Sequence, residues 1–255
     1  MPEQNRNVIN DEQLKKMMSA NKVNFFKANQ WRIVTFALMA INIIVFLIEA
    51  VVSGFSFSIP GQVLVDMGAM YVPYTRNLGD LYRFVTPMFL HMDVMHLAFN
   101  MLALYSVGGV LERVLGKGNF ILLYFIAGIT GNTASYIADI YFNSMYGISA
   151  GASTSVFGLF VAVALLGLLH KDNRQYFAQY SMGMLSIIAL NVVYTFAVPG
   201  ISISGHLGGA LGGLIAMFIV PSKNLRVNNA VRIIVGNAWV AAFVFMLAYK
   251  SFFIL

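Results

Sequence analysis

Long apolar stretches alternate with short polar segments along almost the whole chain after residue 30. A helix needs about 20 mostly apolar residues to cross the hydrocarbon core of a bilayer. Stretches that meet this requirement cover residues 31–52, 92–114, 119–140, 150–169, 178–198, 203–220 and 231–254. Every proline lies outside these stretches or at their ends, as expected because proline interrupts helices. The pattern therefore predicts an all-α polytopic membrane protein with seven spans.

The connections between the predicted spans are short, with one exception. Residues 53–91 are long, moderately apolar and interrupted by prolines, so we expect them to lie along the membrane interface or to dip in where protein shields their backbone. The polar residues 1–30 show no cleavable signal, and only residues 10–18 suggest an amphipathic helix. We expect three parts: this N-terminal segment, a six-span core at 31–220, and a loop with the seventh span at 221–255.

The composition excludes most soluble classes of protein. Of 255 residues, 59% are hydrophobic and 10% are charged, and the mean hydropathy is +0.75. A soluble domain is usually about 45–50% apolar and about 25% charged. A soluble globule of this size cannot hide so much apolar surface, so an ordinary cytosolic enzyme, a disordered tail and a secreted mini-protein are excluded. The lack of cysteine excludes disulfides, a thiol nucleophile and thiolate metal sites.

The 16 lysines and arginines are distributed unevenly between the two sides of the predicted spans. All but three precede or open the first span, or lie at or near the connections between spans two and three, four and five, and six and seven. The three exceptions are Arg76, Arg83 and Lys250. The positive-inside rule then places the N-terminus in the cytoplasm and the C-terminus outside the cell. The net charge of +6 is thus explained by topology, and nucleic acid is not an expected partner.

A few polar residues lie inside the predicted spans, where polar groups are costly and usually face the bundle interior. Spans two, four and six all run from the outside inward. His96, Asn100, Ser153 and His206 lie within roughly ten residues of the outer ends of these spans, which is a similar depth at 1.5 Å rise per residue. Three helices are therefore expected to bring these four side chains to one level.

Serine and histidine at one depth indicate nucleophilic catalysis. A serine hydroxyl is a weak nucleophile until a base takes its proton, and His206 is the candidate base for Ser153. The only carboxylates near that depth are Asp93 and Asp139, so we expect a dyad without a buried acid. Ser155 is an alternative nucleophile, but it lacks the preceding glycine at the same spacing.

A tetrahedral oxyanion would need hydrogen-bond donors beside the nucleophile. His96 and Asn100 are four residues apart and share a helix face, so their side chains are candidates together with the Ser153 backbone N–H. Small residues at helical spacing in spans four and six favour close approach of these two helices in lipid. They are Gly151, Ser155, Gly158, Gly205, Gly208, Gly209, Gly212 and Gly213. Phe157, one turn after Ser153, is expected to pack on the His206 ring.

Three separated motifs, in this order, resemble those of the rhomboid family of intramembrane serine proteases. Residues 91–100 resemble the family's H-x4-H-x3-N, and residues 151–153 resemble its G-x-S with an aromatic residue four positions later. His206 with Gly209 and Gly213 resembles H-x2-G-x3-G, and Tyr82-Arg83 resembles a Trp-Arg pair of the first loop. The resemblance covers about residues 31–220, and span seven is similar to the extra C-terminal helix of bacterial members with six core helices plus one.

The resemblance implies a Ser153–His206 dyad that forms an acyl-enzyme, an oxyanion hole from His96, Asn100 and the Ser153 amide, and no metal or cofactor. It implies that the partners are transmembrane protein substrates, cleaved near the outer face after a small residue, and membrane lipid, while the oligomeric state stays open. It also implies that the first loop packs beside the core, and that span five and the loop before span six gate substrate entry. The supporting residues that it implies are His91, Gly151, Phe157, Gly209, Gly213 and Arg83.

The chain departs from the family pattern at two positions. Thr154 follows the nucleophile where the family usually has glycine, and Tyr82 replaces the tryptophan. A threonine is strained only if the backbone there has positive φ. We expect three further polar residues, His170, Glu112 and Arg113, to be ordinary solvated groups at cytoplasmic ends.

Three other functions compete with proteolysis. A catalytically inactive relative would bind and escort transmembrane segments without using the dyad. A zinc hydrolase would use His91, His96 and His206, although the chain has no H-E-x-x-H motif. A transporter would also carry intramembrane polar residues, but we find no inverted repeat, and the polar cluster lies away from the midplane.

Overall fold

The computed structural model describes residues 30–253 except 76, 143, 145, 184 and 198–201, so the amphipathic segment predicted at 10–18 lies outside the described residues. The described part is built from α-helices joined by loops with short 3₁₀ turns. The α-helices are α1 (Ile33–Val52), α2 (Gly61–Asp66), α3 (Val94–Leu115), α4 (Lys117–Tyr141), α5 (Ser153–Leu169), α6 (Arg174–Gly183), α7 (Leu185–Ala197), α8 (Ile203–Ile219) and α9 (Asn229–Phe253).

The helices confirm the prediction of an all-α, multi-pass membrane protein. α1, α3, α4 and α9 are long and apolar enough to cross a bilayer. The predicted fifth span, 178–198, consists of two helices, α6 and α7, whose axes meet at a bend of 45°. α5 and α8 are apolar but have only 17 residues each.

α8 packs most extensively against α4 and α5. Its glycines make this close approach possible, because a Cβ at Gly208 would overlap the Ala134 side chain of α4. On the opposite side, a Cβ at Gly213 would overlap the carbonyl oxygen of Gly158 in α5. Small residues allow such close helix packing in lipid. α8 is therefore held between α4 and α5 with backbone against backbone.

Glu112 and His170, which we expected to be solvated, are both buried, with 2% and 7% of their surface exposed. The Glu112 carboxylate in α3 accepts hydrogen bonds from the backbone N–H groups of Val34 and Thr35 at 2.9 and 2.8 Å, and from the Thr35 hydroxyl at 2.9 Å. The first N–H groups of a helix have no partner within the helix, and its dipole favours an anion there. The expectation was wrong because Glu112 caps the start of α1.

The long first loop is anchored by Arg83, which is 6% exposed. The Nη1 atom of its guanidinium donates to two carbonyl oxygens, those of Val65 and Ala69, at 2.8 and 2.9 Å. The guanidinium carbon also lies 5.1 Å from the ring centroid of Tyr82, so the aromatic residue at this position packs on a cation. Arg83 thus ties the later part of the loop to the end of α2 and to the residues that directly follow it.

The same loop packs against the helical bundle through Phe84. Its ring makes T-shaped contacts with two aromatic rings, those of Tyr136 in α4 at 5.6 Å and of Phe243 in α9 at 5.5 Å between centroids. Phe84 and Tyr136 are each 1% exposed. The first loop therefore packs against the bundle and forms part of the core between α4 and α9.

Candidate active site

Ser153 is the first residue of α5, and the turn before it depends on glycine. Gly151 has φ +129°, a region that residues with a Cβ rarely adopt. A Cβ there would also lie only 2.7 Å from the Cε1 and Nε2 atoms of His96. Thr154 lies in the first turn of α5 and is not among the described residues with positive φ, so the strain considered for it does not arise.

The Ser153 Oγ and His206 Nε2 atoms are 2.6 Å apart, a hydrogen bond between two helices. Both residues are buried, with 8% and 6% of their surface exposed. His206 lies in the first turn of α8, which begins after Ser202, whose side chain accepts from the Gly205 N–H at 3.0 Å. One turn further on, Gly209 lets α8 approach the α5 backbone closely enough for this bond.

Phe157 stacks on the imidazole of His206. The two ring centroids are 4.2 Å apart and the ring planes differ by 13°. Because Phe157 follows Ser153 by one turn of α5, the helix that carries the serine also covers one face of the histidine ring. This stacking restricts the orientation of the imidazole.

The other ring nitrogen of His206 also has a partner. The Nδ1 atom lies 2.8 Å from the Oγ1 atom of Thr195 in α7. The Thr195 hydroxyl donates to the carbonyl oxygen of Asn191, one turn earlier, at 2.7 Å. Neither residue was predicted from the sequence, although two polar residues four apart in an apolar span were an available signal.

His96 and Asn100 lie on α3 beside the dyad. The Asp93 carboxylate caps α3 by accepting from the His96 N–H at 2.8 Å, which fixes the first turn of the helix. The Asn100 amide donates one N–H to the His96 carbonyl oxygen at 2.9 Å, so its second N–H is the one left for a reacting oxygen. Both side chains border the same cavity as Ser153 and His206.

That cavity has a volume of about 10 Å³. It is lined by His96, Phe99, Asn100, Ser153, Phe157, Asn191 and His206. A single water needs about 10–15 Å³ of such space, so the closed site has room for about one water molecule and none for a peptide. Phe99 and Asn191 are cavity residues that the sequence analysis did not identify.

His91 does not line the cavity but packs against His96, which does. Its ring lies edge-on to that of His96, with 5.2 Å between centroids, and its backbone N–H donates to the Glu49 carboxylate at 3.2 Å. Complete burial holds the pKa of His91 well below its usual value, so the ring is neutral. Glu49 is a further supporting residue that the sequence analysis missed.

Two alternatives from the sequence find little support in this geometry. Ser155 is fully buried, and its Oγ lies 3.2 Å from the Met88 sulfur and away from the cavity, so it has no base. Among the described residues, no three His, Cys, Asp or Glu side chains are grouped closely enough to hold a metal ion. The zinc hypothesis therefore has no ligand set in this part of the chain.

Comparison with known proteins places the chain in a family. A family model described as the rhomboid domain matches residues 78–223. The rhomboid protease GluP of Bacillus subtilis is 38% identical over 182 residues, which are 71% of this chain and 34% of GluP. YdcA of the same species is 31% identical over 67% of this chain and 83% of YdcA. The rhomboid protease AarA of Providencia stuartii is 28% identical over 68% of each protein. The match to GluP thus spans only about a third of that protein, and the match to YdcA spans most of it, while the rhomboid-domain match includes the motif residues at 82–83, 91–100, 151–157 and 206–213. The chain belongs to the rhomboid family.

Proposed function

We propose that this chain is an intramembrane serine endopeptidase that cleaves transmembrane helices of other proteins near the outer face of the cell membrane. The observation that carries the proposal is the 2.6 Å contact between Ser153 Oγ and His206 Nε2 at a buried cavity. A nucleophile within hydrogen-bond reach of a base is the arrangement that covalent catalysis requires. The names of the matched relatives support the same reaction class.

The reaction begins when Ser153 Oγ attacks the scissile carbonyl carbon and its proton passes to Nε2 of His206. The tetrahedral intermediate collapses, the C–N bond breaks, and the imidazolium returns the proton to the leaving amine. A water molecule then attacks the acyl-enzyme with His206 as base, which releases the acid and restores the serine. The closed cavity has room for about one such water.

The oxyanion of each tetrahedral intermediate requires donors that are already in place. The second Asn100 N–H, the His96 ring and the Ser153 backbone N–H are the groups we assign to this role. Ser153 is the first residue of its helix, so its N–H has no partner within α5. α3 and the N-terminal end of α5 together therefore supply the donors.

The depth of the site follows from the short helices that carry it. At 1.5 Å per residue, 17 residues span about 26 Å, a few ångströms less than the hydrocarbon core of about 30 Å. The positive-inside rule places the N-terminal ends of α5 and α8 toward the outside. Ser153 and His206, at or near those ends, then lie just below the outer surface, where a substrate helix would be cut.

Substrate entry requires a movement, since the closed cavity cannot hold a peptide. Asn191 of α7 forms one wall of the cavity, so displacement of α7 would widen it. The family resemblance implies the same gate, formed by span five and the loop before span six. α7 therefore separates the dyad from the lipid from which a transmembrane substrate would arrive.

The test uses purified protein with a panel of single-span membrane proteins and an active-site fluorophosphonate probe. Ser153→Ala and His206→Ala should each lower turnover by roughly 10⁴-fold or more, because neither half of a dyad works alone. Ser155→Ala is the matched control, since it removes a nearby buried hydroxyl that does not border the cavity. The probe should label the parent protein and the control but not Ser153→Ala.

Each competing function has its own outcome in this experiment. Turnover by Ser153→Ala at the parent rate would refute the proposal. Capture of substrate helices by the parent protein without turnover or labelling would indicate an inactive escort protein. Activity that is lost on treatment with strong chelators would point to the zinc hydrolase instead.

A further inference from the structure

Thr195 lies where a third member of a catalytic group would be found, on the side of His206 opposite Ser153. On the basis of the proposed function, we infer that Thr195 is a positioning residue that fixes the proton of His206 on Nδ1 and thereby leaves Nε2 free to act as the base. A base is commonly oriented by such a third group. Here the group is a hydroxyl, carried by α7 rather than by either helix of the dyad.

The Thr195 hydroxyl has a single proton and can donate only one hydrogen bond. If that proton is donated to the Asn191 carbonyl at 2.7 Å, the Oγ1 atom can only accept from His206 at 2.8 Å. Nδ1 then carries the hydrogen of the neutral imidazole, and the lone pair of Nε2 faces the Ser153 hydroxyl at 2.6 Å. All three hydrogen bonds form at once in this arrangement.

The opposite tautomer is less favourable in two ways. It would turn the Thr195 hydroxyl proton toward Nδ1, which leaves two oxygen atoms, Thr195 Oγ1 and Asn191 O, 2.7 Å apart with no hydrogen between them. It would also place a hydrogen on Nε2, which could then only donate to Ser153 and could not take its proton. Thr195 and His206 are 5% and 6% exposed, so solvent is poorly placed to compensate.

The position of Thr195 couples this function to the movement of α7. Asn191 and Thr195 both belong to α7, which packs less extensively on the rest of the described bundle than α3, α4, α5 or α8 does. A displacement of α7 that lengthens the contact between Oγ1 and Nδ1 would remove this control over the tautomer of His206. The movement that widens the cavity for a substrate must therefore keep Thr195 against His206.

The experiment compares Thr195→Val, which keeps the shape of the side chain and removes the hydroxyl, with Thr195→Ser, which keeps the hydroxyl. We expect Thr195→Val to lower kcat roughly 10- to 100-fold, the effect of one lost hydrogen bond in a buried site, with KM changed less than about twofold. Thr195→Ser should restore kcat to within about threefold of the parent. The rate of fluorophosphonate labelling, which needs no substrate helix, should follow kcat.

A second measurement does not depend on whether the Thr195 variants fold. In the parent protein with ¹⁵N-labelled histidine, the ¹⁵N shifts of neutral His206 should show a proton on Nδ1, with the resonance assigned by its loss in a His206 variant. A proton on Nε2, or a kcat for Thr195→Val within twofold of the parent, would overturn the inference. Either result leaves the proposed function intact as long as Ser153→Ala is inactive, whereas an active Ser153→Ala would refute both.

Discussion

The close packing of α5 against α8 should fix the distance between Ser153 and His206. Gly209→Ala tests this directly. Gly209 follows His206 by one turn of α8 and lies against Thr154, the neighbour of Ser153. An added Cβ would lie 2.8 Å from the Thr154 carbonyl carbon and 3.1 Å from its Cα, and closer still to the carbonyl oxygen. Ordinary contact begins at 3.4 Å, and these atoms are backbone atoms that cannot rotate away.

The two helices must therefore separate by about 1 Å to accommodate one methyl group, since packed backbones cannot absorb the overlap. The Ser153–His206 bond is 2.6 Å long, and the same separation would carry it past the limit of a hydrogen bond. We expect Gly209→Ala to reduce turnover and fluorophosphonate labelling at least about 100-fold. Overpacking should also destabilise the protein by about 1–3 kcal/mol.

Gly236→Ala in α9 is the matched control, because the nearest atom to its added Cβ is 4.0 Å away. It should leave turnover unchanged and stabilise the helix by up to about 1 kcal/mol. Circular dichroism in detergent must show that Gly209→Ala keeps its helices, so that loss of activity reports geometry rather than unfolding. If folded Gly209→Ala is labelled at a rate within twofold of the parent, the distance between α5 and α8 does not determine the contact between Ser153 and His206. That result would refute this prediction.

Three further predictions concern buried groups outside the dyad. Glu112→Gln should lower the free energy of unfolding by about 2 kcal/mol in a denaturant titration, because one of its two acceptor oxygens is lost, whereas exposed Asp66→Asn should not. Arg83→Met should speed proteolysis of the first loop, because it removes the donor nitrogen that binds the carbonyl oxygens of Val65 and Ala69, and an unchanged cleavage rate would argue against the anchor. Because burial keeps the pKa of His91 well below 6.5, only the unfolded chain gains its proton below that pH. Stability should therefore fall by up to about 1.4 kcal/mol per pH unit on acidification, and His91→Asn should flatten that slope.

The family and the closeness of Ser153 to His206 were predictable because hydropathy and motif spacing are local properties of the sequence. The polar residues of spans two, four and six stand out against an apolar background, and helical rise alone places them at one depth. The burial of Glu112 was not predictable in this way. Its partners are the N–H groups at the start of α1, 77 residues earlier, and a charge near a helix end has the same local pattern whether it faces water or another helix.

Thr195 shows a similar limit. The spacing of Asn191 and Thr195 indicates one polar face on span five, but not which helix that face meets. The helix that carries Thr195 to His206 follows a bend of 45° between α6 and α7, whereas the apolar run at 178–198 predicts one continuous helix. Sequence periodicity reports the faces of a helix, whereas the direction of its axis depends on tertiary packing.

The buried carboxylate of Glu112 shows why a hydroxyl, rather than an acid, suits the position behind His206. Glu112 is 2% exposed, and its carboxylate accepts from the backbone N–H groups of Val34 and Thr35 and from the Thr35 hydroxyl. A desolvated carboxylate is costly unless such donors surround it. The position of Thr195 offers a single donor, the Nδ1 hydrogen of His206, so a carboxylate there would remain undersatisfied in a low-dielectric site. A hydroxyl orients the ring with one accepted bond and no buried charge, at the cost of less stabilisation of the imidazolium in the transition state.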